Sequence, residues 1–473
     1  MKIFAQSVAV AVSLAVGAQA GAEVFRFVSL PDTQIYSENR FPSMSFPPIT
    51  DPAGTATIFS AQTQWIVDNA EAMNIRYVGH LGDIVQNAQD PARAPQEWAN
   101  AKAAMDKLLD ADIPHGTVMG NHDDEEHGED YNAGYLANFG PQVFAGRSWY
   151  TDSSPGGGGN YQLMDHEGQK IGFLNFSIDQ PQAEIDWANN IIRSNPDTLF
   201  VLGTHRYMYD YKLIAGRYNE ENITPLGTFV VKENFAPGVP DGNYGQQMYE
   251  KLVVPNDNVF MLHAGHFHSE WMRLSGSFDS VVEETVEILT DYQDARNGGD
   301  GWMRIYEIDL ESSTFSWKTY SPTLDEYRST LHHFVETIQQ AWIQRDQVKA
   351  LLGFGSDAEY LGFLEANLKD NPLIPDNFLA LHPDWDADYF NAYLADMFNV
   401  PNGGSIPAGF ENILEWENLW MLAFAADPTN PLDFSDGLRS PSGSLAVNYN
   451  AFVPEPASLA LLSLGAAMLM RRR

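Results

Sequence analysis

The sequence predicts an α/β protein, because short apolar strands alternate with amphipathic helices from Glu23 to about Pro322. Val259–Leu262 is a continuous apolar run of strand length, whereas the apolar residues of Thr57–Met73 recur at helical spacing. From about Thr323 the strand signals give way to longer helical patterns. We therefore expect an α/β domain followed by a mostly α-helical C-terminal extension.

The composition limits the classes of partner and of metal ligand. The chain has 473 residues, of which 44% are hydrophobic, so one or two domains with a sizeable core are expected. A net charge of -36 repels polyphosphates, and no nucleic-acid partner is expected. The chain contains no cysteine, which excludes disulfides and thiolate ligands, so any metal would be held by His, Asp, Asn, Gln or Glu.

The first residues have the pattern of a secretory signal peptide. Lys2 precedes an apolar run, Val8–Val16, and small residues follow at Ala18 and Ala20. Residues 1–22 are therefore predicted to be a signal peptide that is removed on export. A buried N-terminal helix is the alternative interpretation.

The remaining elements follow from periodicity and from the turn residues between them. Strands are expected at Val24–Leu30, Arg76–Leu81, His115–Met119, Thr198–Leu202, Val259–Leu262, Glu270–Leu274, Ser280–Thr290, Gly301–Leu310 and Thr314–Tyr320, with more between Tyr150 and Ile178. Helices are expected at Thr57–Met73, Gln96–Leu109, Pro181–Arg193 and Gln246–Leu252, and in the extension at Glu326–Leu352, Ala358–Leu368, Ala387–Phe398 and Phe410–Ala425.

Polar residues of metal-ligand type follow five of the predicted strands. They are Asp32 and Gln34, Asp83 and Asn87, Asn121 and His122, His205, and His266 and His268. The carboxyl ends of strands in an α/β sheet converge on one edge, so these side chains are expected to meet there. Taken alone, His266 and His268 would be equally consistent with a hydrogen-bonded pair of loop histidines.

This series of motifs resembles the calcineurin-like metallophosphoesterase superfamily. The corresponding segments are Asp32-Thr33-Gln34, Gly82–Asn87, Gly120–Asp123, His205 and Gly265–His268, and the resemblance covers roughly Val24 to Pro322. Segments around Tyr292-Gln293 and Gly301-Trp302 look like those of secreted bacterial members. The resemblance implies a β-sandwich flanked by helices over residues 23–322 and hydrolysis of phosphoric ester bonds.

The resemblance also implies a centre with two divalent metal ions. It assigns Asp32, Gln34, Asp83 and His268 to the first metal, and Asn121, His205 and His266 to the second, with Asp83 bridging the two. His122 corresponds to the acid that protonates the leaving oxygen, and Asp123 or Asp124 would orient it. The expected ions are Mn, Fe, Zn or Mg. Gln34 stands where the family pattern has His, which favours Mn, Mg or Ca over Zn at the first position.

Other polar residues receive supporting roles. Asn87 is expected to orient loops and His80 to be structural. His263 is considered as a support for the histidine pair or as a core residue. Arg206 is considered as a phosphate contact, with a loop arginine in a solvent network as the alternative.

The last residues resemble a PEP-CTERM sorting signal. Val453–Pro456 precedes a short apolar run, Ala457–Met470, and the chain ends in Arg471-Arg472-Arg473. The resemblance implies an exosortase-type processing partner and transient inner-membrane anchoring through residues 453–473. It also implies export to the periplasm, cell surface or matrix of a Gram-negative bacterium. A plain C-terminal anchor is the alternative.

The sequence therefore predicts an exported phosphoesterase with an acidic, mostly helical extension at residues 323–450. It would hydrolyse small phosphate monoesters or diesters through a water activated by two metals. The alternative is a cell-surface or matrix protein whose metal site is structural or inactive. Gln34 supports this alternative, and His122 argues against it because a structural site does not need an acid.

Overall fold

The structure is a computed structural model that describes most of the first 328 residues. The described ranges are 24–38, 57–124, 133–208, 242–243, 245–267, 270–274, 285–293 and 295–328, with 332, 349–350, 353–359, 362, 442–447 and 449. The predicted signal peptide, the PEP-CTERM segment, most of the extension and His268 lie outside the described residues.

The described strands, numbered in chain order, form two sheets. They are β1 (Phe25–Leu30), β2 (Ile75–His80), β3 (His115–Thr117), β4 (Tyr150–Ser153), β5 (Asn160–His166), β6 (Gln169–Asn175), β7 (Thr198–Thr204), β8 (Val259–Ala264), β9 (Glu270–Leu274), β10 (Val286–Thr290), β11 (Met303–Asp309), β12 (Thr314–Ser321), β13 (Glu326–Tyr327) and β14 (Ser442–Ala446). The predicted α/β class is confirmed.

The described helices flank the sheets. They are α1 (Gln34–Ser37), α2 (Thr57–Met73), α3 (Ala94–Asp110), α4 (Ala133–Phe139), α5 (Gln182–Ser194), α6 (Gly245–Met248) and α7 (Arg296–Gly299), with a 3-10 turn at Pro141–Val143 and a π turn at Tyr249–Val253. The predicted limits of α2 match those observed, whereas α3 begins two residues before its predicted start, with a proline in its first turn. Among the described residues, the helices are too short or too polar to cross a membrane.

The strand order places parallel strands next to each other in both sheets. The first sheet runs β13-β12-β11-β1-β2-β3, with β14 also pairing with β12, and β1, β2 and β3 are parallel. The second sheet runs β4-β5-β6-β7-β8-β10-β9, and β6, β7, β8 and β10 are parallel. Each sheet therefore presents the carboxyl ends of several strands at one edge.

Apolar side chains between the two sheets form a core cluster. The Tyr77 ring of β2 stacks on the Phe173 ring of β6 with centroids 3.7 Å apart. Helices α2 and α3 cover the outer face of the first sheet, and α5 covers the second through Ile185, Ala188 and Ile192. The predicted β-sandwich flanked by helices is therefore observed.

One predicted helix is wrong at its start. Glu326 and Tyr327 form β13, which pairs with Tyr320 and Ser321, instead of opening a helix. Ser442–Ala446, from the predicted extension, also pairs with β12. The first sheet therefore continues beyond Pro322, because the edge of β12 that does not pair with β11 offers backbone hydrogen bonds to later segments.

Candidate metal centre

The predicted ligands that lie in the described residues converge at the carboxyl edge of the two sheets. Asp32 follows β1, Asp83 follows β2 and Asn121 follows β3, while His205 follows β7 and His266 follows β8. Asp83, His205 and His266 bring their ligand atoms within 4.8 Å of one another. Parallel pairing within each sheet brings together residues that are far apart in the sequence.

The tightest part of the centre surrounds the Nε2 atom of His205. This atom lies 3.1 Å from Asn121 Oδ1, 3.3 Å from Asp83 Oδ1 and 3.1 Å from His266 Nδ1. Ligand atoms that share one ion at about 2.1 Å stand roughly 3.0–3.5 Å apart. The four side chains assigned to the second metal therefore fit a single divalent cation.

The tautomer of His205 suits a ligand. Its Nδ1–H donates to the carbonyl oxygen of Leu81 at 2.8 Å, which leaves the lone pair of Nε2 directed at the cluster. Burial disfavours the charged ring, but the neighbouring Asp83 carboxylate raises the pKa of His205 above its usual value. The ring thus lies in a strongly negative environment that favours a cation.

The two carboxylate oxygens of Asp83 face different sets of donors. Oδ1 faces His205 and accepts the backbone N–H of His122 at 2.9 Å, whereas Oδ2 accepts Nε2–H of Gln34 at 3.2 Å. Burial opposes ionisation of this carboxyl, but the histidines His205, His122 and His266 hold its pKa below the usual value. An ionised carboxylate whose two oxygens face different residues has the arrangement that a bridging ligand requires.

Asp32 and Gln34 lie beside the cluster around His205 Nε2, with Asp32 Oδ2 4.0 Å from His205 Nδ1 and Gln34 in contact with Asp83. Asp32 accepts the backbone N–H of His266, with N–O distances of 3.2 and 3.3 Å. Burial, followed by the charges of Asp291 and Asp83, raises the pKa of Asp32 well above its usual value. Among the described residues, the buried Oε1 of Gln34 has no hydrogen-bond partner. Buried carboxylates and an unsatisfied amide oxygen fit a hard divalent cation at the first position.

Two motif glycines are required by close packing at the ligands. A Cβ at Gly120 would stand 2.1 Å from Asp83 Oδ1, and one at Gly265 would stand 2.2 Å from Asp32 Oδ1. Both distances are well below van der Waals contact. The glycines of the third and fifth motifs therefore let the backbone approach the carboxylates.

His122 is half-buried beside the cluster around His205 Nε2. Its Nδ1 lies 3.0 Å from the backbone carbonyl oxygen of Gln86 and 2.9 Å from the side-chain Nε2 of the same residue. Gln86 therefore engages one ring nitrogen, and Nε2 is the atom left for proton transfer. The acid role of His122 stays a prediction.

Asp123 is fully buried and accepts the backbone N–H groups of Gly120 and Val85, each at 2.8 Å. Burial, followed by the charge of Asp83, raises its pKa to about 7. These contacts tie the second and third motif loops together. The predicted orientation of His122 by Asp123 stays a prediction.

Four other candidates have contacts that fit supporting roles. The Asn87 side chain donates to Glu97 at 2.7 Å, and His80 hydrogen-bonds Thr33 at 2.9 Å. His263 is buried with Nδ1 2.6 Å from the Ser29 hydroxyl, and Arg206 forms a buried ion pair with Asp179. Arg206 is buried in this ion pair, so the solvent network considered for it is not observed.

Two residues near the centre received no role from the sequence. Asp291 follows β10, another parallel strand of the second sheet, and it is buried close to Asp32. Gln293 accepts a hydrogen bond from Gln34. Their position directly after a buried strand was the signal available, but one carboxylate and one amide without a known motif do not identify a site.

Comparisons with known proteins agree with this geometry. Residues 56–270 match the family model of the calcineurin-like phosphoesterases. The uncharacterized protein YvnB of Bacillus subtilis (strain 168) is 30% identical over 304 residues. That match covers 63% of this chain but 20% of the relative, so the chain spans about a fifth of the length of that protein.

Two solved structures match this chain at low sequence identity. A dimetal phosphatase from Danio rerio is 11% identical with a TM-score of 0.38, and the match covers 63% of this chain and 97% of that one. GAP50, the anchor in the inner membrane complex of Plasmodium, is 12% identical with a TM-score of 0.33, and the match covers 64% and 86%.

The matched range contains Asp83, Asn121, His205 and His266, the four side chains of the cluster around His205 Nε2. The part of the chain that matches the calcineurin-like phosphoesterase family model, residues 56–270, therefore includes the candidate metal centre around His205 Nε2.

Proposed function

We propose that the protein is an exported phosphoesterase that hydrolyses small phosphate monoesters or diesters at a centre for two divalent cations. The observation that carries the proposal is Asp83, whose two carboxylate oxygens face different residues. Oδ1 lies beside His205, which also contacts Asn121 and His266, whereas Oδ2 accepts the Nε2–H of Gln34. Asp32 would complete the first position together with His268.

When bound, cations at these positions supply the charge that activates an attacking water and stabilises an in-line displacement at phosphorus. The protein contributes fixed ligands, because Leu81 orients His205 and the backbone of His122 holds Asp83. His122 would deliver a proton from Nε2 to the leaving oxygen while Gln86 engages Nδ1. The metal pair remains open among Mn, Fe, Zn and Mg, with Ca an alternative at the first position.

Turnover after metal reconstitution tests the proposal. The full-length protein is stripped with a chelator and supplied in turn with Mn²⁺, Fe²⁺, Zn²⁺, Mg²⁺ and Ca²⁺. Each form is assayed on p-nitrophenyl phosphate and bis(p-nitrophenyl) phosphate. We expect turnover with at least one cation, loss of turnover in Asp83→Asn, and retention in Asp300→Asn. Asp300 is an equally buried carboxyl whose Oδ1 accepts a hydrogen bond from Asn297.

Two outcomes contradict the proposal. Absence of turnover with every cation on both substrates would favour the alternative of a structural or inactive metal site. Equal losses in Asp83→Asn and Asp300→Asn would show that removing any buried carboxylate has the same effect, and the bridging role would fall.

We also propose that the enzyme acts outside the cytoplasm. The signal-peptide pattern of residues 1–22 and the Pro-Glu-Pro, apolar and arginine segments of residues 453–473 support this proposal. An exosortase-type enzyme and the inner membrane are the expected partners of the C-terminal segment. Fractionation of a Gram-negative host tests the location, since the intact protein should leave the cytoplasm and a variant lacking residues 2–22 should stay there.

A further inference from the structure

A third strand end of the second sheet contributes to the metal centre. Strand β10 is parallel to β8 and ends at Thr290, so Asp291 emerges at the edge where His205 and His266 lie. Asp291 is 1% exposed. Its carboxylate lies close enough to Asp32 for the two charges to interact. Three buried carboxylates thus lie near the first metal position.

A chain of hydrogen bonds connects Asp291 to the Gln34 side chain. An ionised carboxylate only accepts hydrogen bonds, and Asp291 accepts the backbone N–H of Gln293 at 2.9 Å and its side-chain Nε2–H at 3.1 Å. The Gln293 amide nitrogen is thereby directed at Asp291. Its Oε1 then faces the other way, where it accepts a hydrogen bond from Nε2 of Gln34.

The chain of hydrogen bonds determines which way the Gln34 amide points. An amide nitrogen has two hydrogens, and those of Gln34 go to Gln293 Oε1 and to Asp83 Oδ2. A flipped Gln34 would set its oxygen against both of these acceptors. Oε1 therefore faces neither acceptor, and it is buried without a hydrogen-bond partner among the described residues. A buried amide oxygen without a hydrogen-bond partner is a suitable ligand for a cation.

The turn that contains Asp291 and Gln293 is anchored independently of the metal centre. The Tyr292 hydroxyl donates to Glu270 at 2.9 Å, and Arg304 donates to the same carboxylate at 2.7 Å. Arg328 donates to the other oxygen of Glu270 and stacks over the Tyr292 ring at 4.8 Å. This buried network fixes the turn before any cation binds.

We propose that Asp291 and Gln293 are positioning residues that hold the Gln34 amide with its oxygen toward the first metal position. They would let an amide serve where the family pattern has a histidine, and the Asp291 carboxylate would strengthen the preference of that position for a hard divalent cation. The inference rests on the proposed two-metal centre. It goes beyond that proposal by assigning the orientation of Gln34 to two residues outside the five ligand motifs.

Metal stoichiometry and affinity test the inference without an activity assay. The chelated full-length protein is titrated with Mn²⁺ by calorimetry, and bound metal is counted by mass spectrometry after desalting. We expect two equivalents in the wild type. In Asp291→Asn one dissociation constant should rise 10–100-fold, the range found for partners that orient metal ligands, while the other stays unchanged.

Gln293→Leu is the second variant, because leucine neither donates to Asp291 nor accepts from Gln34. Gln293→Leu should weaken binding of the same single Mn²⁺ equivalent. If circular dichroism shows that Asp291→Asn does not fold, Gln293→Leu tests the inference in its place. Asp300→Asn, the buried-carboxyl control, should keep both equivalents at wild-type affinity. A general loss of stability would weaken both equivalents together, which would contradict a specific positioning role.

The inference and the proposed function fail in different ways. A wild type that binds two equivalents, with both variants unchanged, overturns the role of Asp291 and Gln293 and leaves the two-metal centre intact. A wild type that binds fewer than two equivalents overturns the two-metal proposal, and the inference falls with it.

Discussion

Replacing Asp83 with asparagine removes one charge from the centre with little change in volume. Its Oδ1 lies 3.3 Å from His205 Nε2, and its Oδ2 accepts a hydrogen bond from Gln34. An asparagine supplies one oxygen and one NH₂ group. If the oxygen keeps the N–H of His122, the NH₂ group faces the Nε2–H of Gln34, and two donors oppose each other. The substitution therefore damages both metal positions.

The expected effect on stability follows from ligand linkage. A cation present at 100 times its dissociation constant stabilises the folded chain by about 2.7 kcal/mol, so two such cations contribute about 5 kcal/mol. For a domain of roughly 150–250 residues, each kcal/mol shifts Tm by about 2–4 °C. Saturating metal should therefore raise the wild-type Tm by roughly 10–20 °C, and Asp83→Asn should lose most of that increase.

Thermal unfolding with and without added metal measures this difference directly. The metal-free proteins should differ much less, since Asp83→Asn removes an attraction to His205 but also a repulsion with Asp32. A metal-induced increase in Tm that is the same in Asp83→Asn and in the wild type would refute the bridging role. Asp300→Asn, which should retain the increase, controls for the loss of a buried carboxyl.

Three further predictions concern proton transfer, close packing and pH. His122→Ala should lower kcat by about 10²–10⁴-fold in steady-state assays, while calorimetry still finds both metals, and an unchanged kcat would remove its acid role. Gly120→Ala should destabilise the protein by about 1–3 kcal/mol and reduce the metal-induced increase in Tm, because the new Cβ would stand 2.1 Å from Asp83 Oδ1. Gly362→Ala, where a Cβ meets nothing within 4 Å, should do neither. Burial raises the pKa of Glu184 to about 7, so its proton favours folding at acidic pH, and that contribution of about 3 kcal/mol is lost as pH rises from about 4.5 to 7. Glu184→Gln should match the wild type at about pH 4 and have the higher Tm at about pH 8, and equal Tm values at the higher pH would contradict the raised pKa.

The cluster around His205 Nε2 was predictable because its residues occupy a repeated position in the sequence. Asp83, Asn121, His205 and His266 each follow a short apolar strand, and parallel strands end at one edge. The sequence thus specifies both the ligand types and the reason for their convergence. The limits of Thr57–Met73 were equally clear, since a long amphipathic helix has a strong periodic signal.

Features that depend on contacts distant in the sequence were not predictable in the same way. Gln34 and Gln293 are 259 positions apart, and the sequence around either residue does not indicate that the two are in contact. The helix predicted from Glu326 was wrong at its start, because local periodicity carries no information about the edge of β12 with which this segment pairs. Strand alternation cannot be extended from His263 to His266, since β8 ends at Ala264.

The loops at Asp83 and His266 show where the fold accepts local strain. Asp83 and His266 have φ values of 48° and 72°, in the left-handed region that non-glycine residues rarely adopt, at a cost on the order of 1 kcal/mol each. Glycine would relieve the strain at either position, but it would remove the carboxylate or the imidazole. Backbone hydrogen bonds hold both loops in these conformations. The Asp83 carbonyl accepts Thr33 N–H at 3.1 Å, and Gly265 N–H donates to the His205 carbonyl at 3.0 Å. The strained backbone thus coincides with two of the four side chains of the cluster, at the positions where the loops bring these side chains together.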